Sequence, residues 1–176
     1  MSQGFLSRLR LSAGFLRLGM NLWPPFVGAG IHVLEIAPDY RRVTVRLRLG
    51  LLNRNYFGTQ YGGSLFSMTD PFYALMLLHN LPRGYRVWDK AATIRYLTPG
   101  RGNVFAHFVL DAARIDEVLA ATASGEKYEP TWPVDIVAAD GTVVATVDKT
   151  LHIRLARPAG EAGGASRMQQ SSRPHR

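Results

Sequence analysis

The sequence predicts an α+β protein in which one antiparallel sheet curls around a long central helix. Three observations carry that prediction. Residues 53–81 read NRNYFGTQYGGSLFSMTDPFYALMLLHNL, a glycine-bearing polar loop running into the most apolar segment of the chain. Two strand-like stretches precede this segment and four follow it. From Phe72 to Leu78 no face is left for water, and a helix that is apolar all round is normally buried by other elements. One helix over one face of a sheet is the smallest two-layer arrangement that hides both apolar surfaces.

The elements follow in order. Residues 2–22 carry a broken helical stripe of Phe5, Leu6, Leu9, Phe15, Leu16 and Leu18, so residues 1–22 are expected to form an amphipathic helix packed on the domain. Arg8, Arg10 and Arg17 interrupt any secretory apolar core. Trp23-Pro24-Pro25 stops the helix and turns the chain to an extended path. Residues 30–36 alternate weakly. Residues 42–49 alternate cleanly, with Val43, Val45, Leu47 and Leu49 on one face and Arg42, Thr44, Arg46 and Arg48 on the other. After the central helix, Pro82-Arg83-Gly84 marks a stop, and strands are expected over 87–97 and 104–110. Residues 111–123 have helical composition, and a last hairpin spans 131–138 and 142–154 around Asp140-Gly141. The main domain is thus expected over 23–156. Residues 157–176 are rich in Gly, Ala, Ser, Gln, Arg and Pro and read as a disordered basic tail.

Composition excludes several classes. The chain has 176 residues and no cysteine, which removes disulfides and thiolate chemistry and is compatible with a cytoplasmic location. Most of the net charge of +8 resides in the ends, which hold eight arginines against the single acid Glu161, while the middle is nearly balanced. That pattern predicts no specific nucleic-acid binding by the domain. His32, His79, His107, His152 and His175 form no metal-ligand spacing, so no metal and no cofactor are expected. The apolar run is too short and too interrupted by Ser64, Ser67, Thr69 and Asp70 to span a bilayer.

The chemistry of the chain concentrates in the loop and helix. Gly62-Gly63 opens a helix and presents backbone N–H groups at its positive end. Asp70 lies about two turns on, inside an apolar run. Burying a carboxylate is costly unless it is bonded or has a role. Ser67, three residues earlier, shares its helix face and is placed to hold the carboxylate or a water. Pro71 cannot donate to the carbonyl of Ser67, which is expected to leave that carbonyl free beside Asp70. In the alternative reading Asp70 is an N-cap and Pro71 the first helical residue. Trp88-Asp89-Lys90 is a second unusual cluster, from which Asp89 or Lys90 could pair with Asp70 across the site.

The pattern Asn55-x-x-Gly58-x-x-Tyr61-Gly62-Gly63-x-Leu65-Phe66-x-x-x-Asp70 resembles the signature of the hotdog-fold thioesterases of the phenylacetate-pathway type, and residues 93–100 (TIRYLTPG) resemble that family's strand after the helix. The resemblance covers roughly residues 20–155, and within the superfamily it is greatest to a bacterial branch known only as a domain of unknown function. One position departs: Tyr61 stands where the family has histidine, and tyrosine is a poor proton carrier near neutral pH.

The resemblance implies a hotdog fold and a homodimer, or a tetramer, with each site formed between two subunits. It implies that the Gly63 N–H polarises a thioester carbonyl, that Asp70 serves as nucleophile or as general base, and that Asn55 orients the water or the thioester. Tyr61, Gly62, Phe66, Ser67 and Lys90 are the expected substrate contacts, and the apolar face of Phe66, Phe72 and Leu75 would suit a medium-chain, long-chain or aromatic acyl group. The expected function is hydrolysis of such an acyl-CoA. The alternative, favoured by Tyr61, is a non-catalytic acyl-CoA-binding module. A dehydratase or isomerase on the same fold is disfavoured because those enzymes usually bring a histidine to the site.

Overall fold

The structure is a computed structural model and describes residues 11–156. The expected tail at 157–176 and the first ten residues of the expected N-terminal helix lie outside the described residues. The elements run α1 (Ala13–Leu22), α2 (Pro24–Ala29), β1 (Ile31–Ile36), β2 (Arg42–Leu47), α3 (Gly62–Ser67), α4 (Phe72–Asn80), β3 (Tyr85–Tyr96), β4 (Val104–Val109), α5 (Ala112–Thr122), β5 (Thr131–Ala138) and β6 (Val143–Leu155). Six antiparallel strands form one sheet in the order β1-β2-β4-β5-β6-β3. The α+β class and the six expected strands are all present.

Alternation sets the sheet faces. Val43, Val45 and Leu47 of β2 are buried, as are Ala145, Val147, Leu151 and Ile153 of β6. These side chains close on α3 and α4, whose Leu65, Phe72, Tyr73, Met76 and Leu77, with Met68 between the helices, complete the core. Phe72 contacts Phe26 and Phe108, and Tyr73 meets Phe108 and Trp132 edge-on, so aromatic rings join α4 to α2 and to the central strands β4 and β5. α1 covers the edge strand β1. The Asn21 side chain accepts from Val33 N–H at 2.8 Å and donates to Val33 O at 3.0 Å, and Arg17 donates to Leu34 O. Those bonds occupy backbone groups that an edge strand otherwise leaves open.

Four local features differ from the expectations. Pro24 and Pro25 do not send the chain into an extended path; they occupy the first turn of α2, where a missing N–H costs nothing. The central helix is two helices, because residues 68–71 leave the helical path. Pro71, at φ −112° and ψ 42°, caps α4 without a side-chain bond, so Asp70 is not the N-cap. The carbonyl of Ser67 is not free, because the N–H of Asp70 donates to it at 3.2 Å.

Candidate active site

The loop before α3 is built around one side chain. Asn55 Oδ1 accepts from the N–H groups of Phe57 and Thr59 at 3.0 and 3.1 Å, and its Nδ2 donates to Thr59 Oγ1 and to Gln60 O at 2.9 and 3.2 Å. Both amide hydrogens are therefore committed to the loop. Gly58, at φ +73°, supplies the left-handed residue that the turn requires. Gln60 is buried and anchors the loop to the sheet end, donating to Leu47 O and Gly102 O.

Gly62 and Gly63 then open α3 behind Tyr61, which makes no side-chain cap bond. Two tyrosine rings enclose the pair. A β-carbon on Gly63 would meet the Tyr61 ring, and one on Gly62 would meet Tyr96, whose hydroxyl donates to Gly62 O at 3.1 Å. Asn55, Thr59, Gln60, Tyr61, Gly62, Gly63 and Leu65 on one side, with residues 96–100 on the other, line a cavity of about 510 Å³. Here the structure brings together Asn55, Tyr61, Gly62 and Gly63 from the expected set.

The other expected residues divide. Asp70 does not line this cavity; it lies in the break between α3 and α4, and its side chain is 54% exposed rather than enclosed. Ser67 donates to Gly63 O at 2.8 Å, a bond within its own helix rather than one to Asp70. Phe66 is solvent-facing on α3, while Phe72 is fully buried in the core and offers no surface to an acyl group. Lys90 does not reach Asp70. It bonds Glu129 in a surface cluster that also holds His152 and Lys127.

Asp89, in contrast, does approach Asp70, through a residue the sequence reading passed over. Lys149 of β6 is only 2% exposed, and its Nζ lies 3.5 Å from Asp70 Oδ1 and 3.4 Å from Asp89 Oδ2. A bulge between Asp89 and Ala91 places Lys90 as the extra residue, so that Asp89 stays on the inward face beside Leu151. Burial pushes the Asp89 carboxyl up to about 6. A hydrogen bond and the charge of Asp70 push the same way, and Lys149 opposes them. Asp89 Oδ1 is buried and meets no hydrogen-bond donor among the described residues. The signal for Lys149 was present in the sequence: alternation puts it on the apolar face between Val147 and Leu151.

Among the described residues no group of three His, Asp or Glu side chains is placed to hold a metal ion, and no helix is long and apolar enough to cross a membrane.

The chain matches a protein-family model, domain of unknown function DUF4442, over residues 12–153. It belongs to the DUF4442 family. The match takes in all six strands but for the last two residues of β6, and it includes the site just described. Among solved structures, a Pseudomonas aeruginosa protein of unknown function, described as a probable thioesterase, is similar at a TM-score of 0.70 and 22% identity, covering 80% of this chain and 94% of that one. A thioesterase of Haemophilus influenzae is similar at 0.62 and 14% identity, covering 86% and 96%. The PaaI protein of the E. coli phenylacetic acid degradation operon is similar at 0.53 and 17% identity, covering 80% and 91%. At these identities the likeness is one of fold, and the fold of this DUF4442 chain is the hotdog fold. No curated protein matches it.

Proposed function

We propose that the protein hydrolyses acyl-CoA thioesters at a site completed by two copies of the chain. The observation that carries this reading is the Tyr61-Gly62-Gly63 turn opening onto the 510 Å³ cavity, with a carboxylate eight residues past Gly62 on an exposed helix break. The Gly63 N–H polarises the thioester carbonyl and holds the charge that grows on its oxygen. Asp70 draws a proton from a water that attacks the carbonyl carbon, or attacks that carbon itself to give an anhydride that water then opens. In either course the carbon–sulfur bond breaks, the thiol leaves as CoA and the acid remains. Asn55 shapes the loop that presents the carbonyl, and Phe66 offers its exposed ring to a medium-chain, long-chain or aromatic acyl group.

Two features favour a two-copy site. Asp70 is outside the lining of the Gly63 cavity of its own chain. The edge strand β3 is also twelve residues long and exposes Trp88 and Tyr96. A long open edge is a template for pairing with another strand, and a two-fold pairing would set each Asp70 toward the partner's cavity.

The test is turnover of an acyl-CoA panel by wild type and by Asp70→Asn. Cleavage by the wild type that is lost in the variant supports the reading; no cleavage above the solvent rate, or equal cleavage by both proteins, defeats it. A second reading, an acyl-CoA-binding module without turnover, is favoured by Tyr61, whose hydroxyl has no bonding partner among the described residues to prepare it for proton transfer. Thermal stabilisation by a non-hydrolysable acyl-CoA analogue, with no hydrolysis of the parent thioester, selects that reading.

A further inference from the structure

Lys149 is an anomaly that the proposed reaction leaves unused. It sits at an inward position of β6 with Val147 and Leu151 on either side, and it is as buried as they are. A buried ammonium is costly unless it is paired and bonded. Here it is paired twice, with Asp70 at 3.5 Å and Asp89 at 3.4 Å, and the two carboxylates come from different parts of the chain. Asp89 is 17% exposed at its side chain and Asp70 54%, so the lysine joins one enclosed and one open carboxyl.

Building on the reading of Asp70 as the reacting acid, we propose that Lys149 is the positioning residue that holds Asp70 in the break between α3 and α4, and that Asp89 is the carboxyl of the pair that carries the cluster's proton. The geometry argues both parts. Two carboxylates facing one ammonium leave one negative charge uncompensated, and like charges at a shared site cannot both be comfortably ionised. The proton goes to the carboxyl that loses more hydration, which is Asp89. Its Oδ1 has no donor, and a proton on Asp89 offered to Asp70 relieves that deficit. The open carboxyl, Asp70, is then the one available to a water or a thioester.

The groups that face Asp89 are few. Lys149 approaches from β6 and Asp70 from the helix break. The titratable residues of α4, which packs against β3, are Tyr73 and His79; they bond Pro133 O and Leu75 O, and neither acts on Asp89. Lys90 and His152 each bond Glu129 on the sheet's other face, where Arg95 also pairs with Asp148. Asp70 and Lys149 are thus the charged groups beside Asp89.

Carboxyl-carbon NMR on protein labelled at aspartate, with assignment by substitution, tests the cluster without any need for turnover. Asp89 is expected to titrate near 6. Asp70→Asn removes the neighbouring charge and lowers that value, whereas Lys149→Met removes the opposing cation and raises it. An Asp89 signal that ignores Asp70→Asn, or that titrates as a free aspartate does, overturns the proposal. Kinetics test positioning separately. Lys149→Met is expected to lower kcat by about tenfold or more while KM stays within about twofold, and Lys149→Arg, which keeps a cation between the carboxylates, to recover part of the loss. Unchanged kcat in Lys149→Met, or no better activity in Lys149→Arg, removes Lys149 from the reaction. If the wild type cleaves no acyl-CoA at all, the functional reading falls and the NMR titration still decides the cluster.

Discussion

The Tyr61 ring lies so close to Gly63 that a β-carbon there would meet its Cε1 at 2.4 Å. The glycine is needed for that approach, yet the ring is 58% exposed and has room to swing outward. Gly63→Ala is therefore expected to fold with nearly wild-type stability while displacing Tyr61 from the helix start. Gly100→Ala makes the contrast. Its β-carbon would press on Gln60 Cγ at 2.9 Å and Val144 Cγ1 at 3.4 Å, and both of those residues are buried. Overpacking of this kind costs about 1–3 kcal/mol. Urea unfolding of the two variants measures the difference; an unfolded Gly63→Ala beside an unperturbed Gly100→Ala would show the close-approach argument to be wrong.

Asn55→Asp isolates what the loop amide does. The substitution keeps the acceptor oxygen for Phe57 and Thr59 but removes both donors, and it turns a carboxylate toward Gln60 O. Leaving such groups unpaired costs about 1–3 kcal/mol, so the loop loosens before the sheet does. Amide hydrogen exchange should quicken over residues 55–60 and stay unchanged in β5 and β6. Uniform protection would mean that the loop holds its shape without Asn55.

The parts of this architecture that were legible in the sequence are those governed by short-range periodicity. The clean alternation over residues 42–49 became β2, and the helical composition over residues 111–123 became α5. The break at Met68–Pro71 was legible only in part: Pro71 marked an interruption, but the apolar run on either side has no phase from which to read that residues 68–71 all leave the helix. Nor was the pairing of Asp70 with Lys149, which joins residues 79 apart through the sheet order β5-β6-β3. Lys90 was misplaced for a related reason: it is the extra residue of a bulge, and a bulge shifts the alternation by one. The motif loop was legible as a unit, but the commitment of Asn55 to its own loop depends on a fold of six residues that spacing alone does not specify.

Glu129 makes a pH prediction with a definite sign. Hydrogen bonds from Lys90 first and His152 next, with Lys127 adding its own, hold its carboxyl at about 2 against an ordinary 4.5. A depressed carboxyl stabilises the fold above its ordinary value and loses that contribution as pH falls toward the lowered one. Glu129→Gln is thus expected to be less stable than wild type at pH 7, with the gap narrowing steadily from pH 4.5 downward. The effect is modest because the cluster is at the surface and salt screens it. Thermal unfolding of both proteins across that range measures it. A gap that does not change with pH would assign the loss to packing rather than charge.

Strand β3 carries the last prediction. It pairs with β6 along one side and has no strand on the other among the described residues, although it is twelve residues long and exposes Trp88. If two chains pair antiparallel along these edges, the two-fold axis crosses near the middle of the strand, so each residue there faces its own copy. Ala91 is small, exposed and central. Ala91→Lys would set like charges opposite each other, which destabilises a strand pair, and would add to the Lys90 already present. Sedimentation should give twice the chain mass for wild type and a shift toward the single chain for Ala91→Lys, with unchanged far-ultraviolet circular dichroism. Because the proposed site needs Asp70 of one copy at the Gly63 cavity of the other, that variant should lose acyl-CoA hydrolysis in step with its loss of dimer and regain both at high protein concentration. A wild type that sediments as a single chain and still turns over acyl-CoA would place the whole site within one chain.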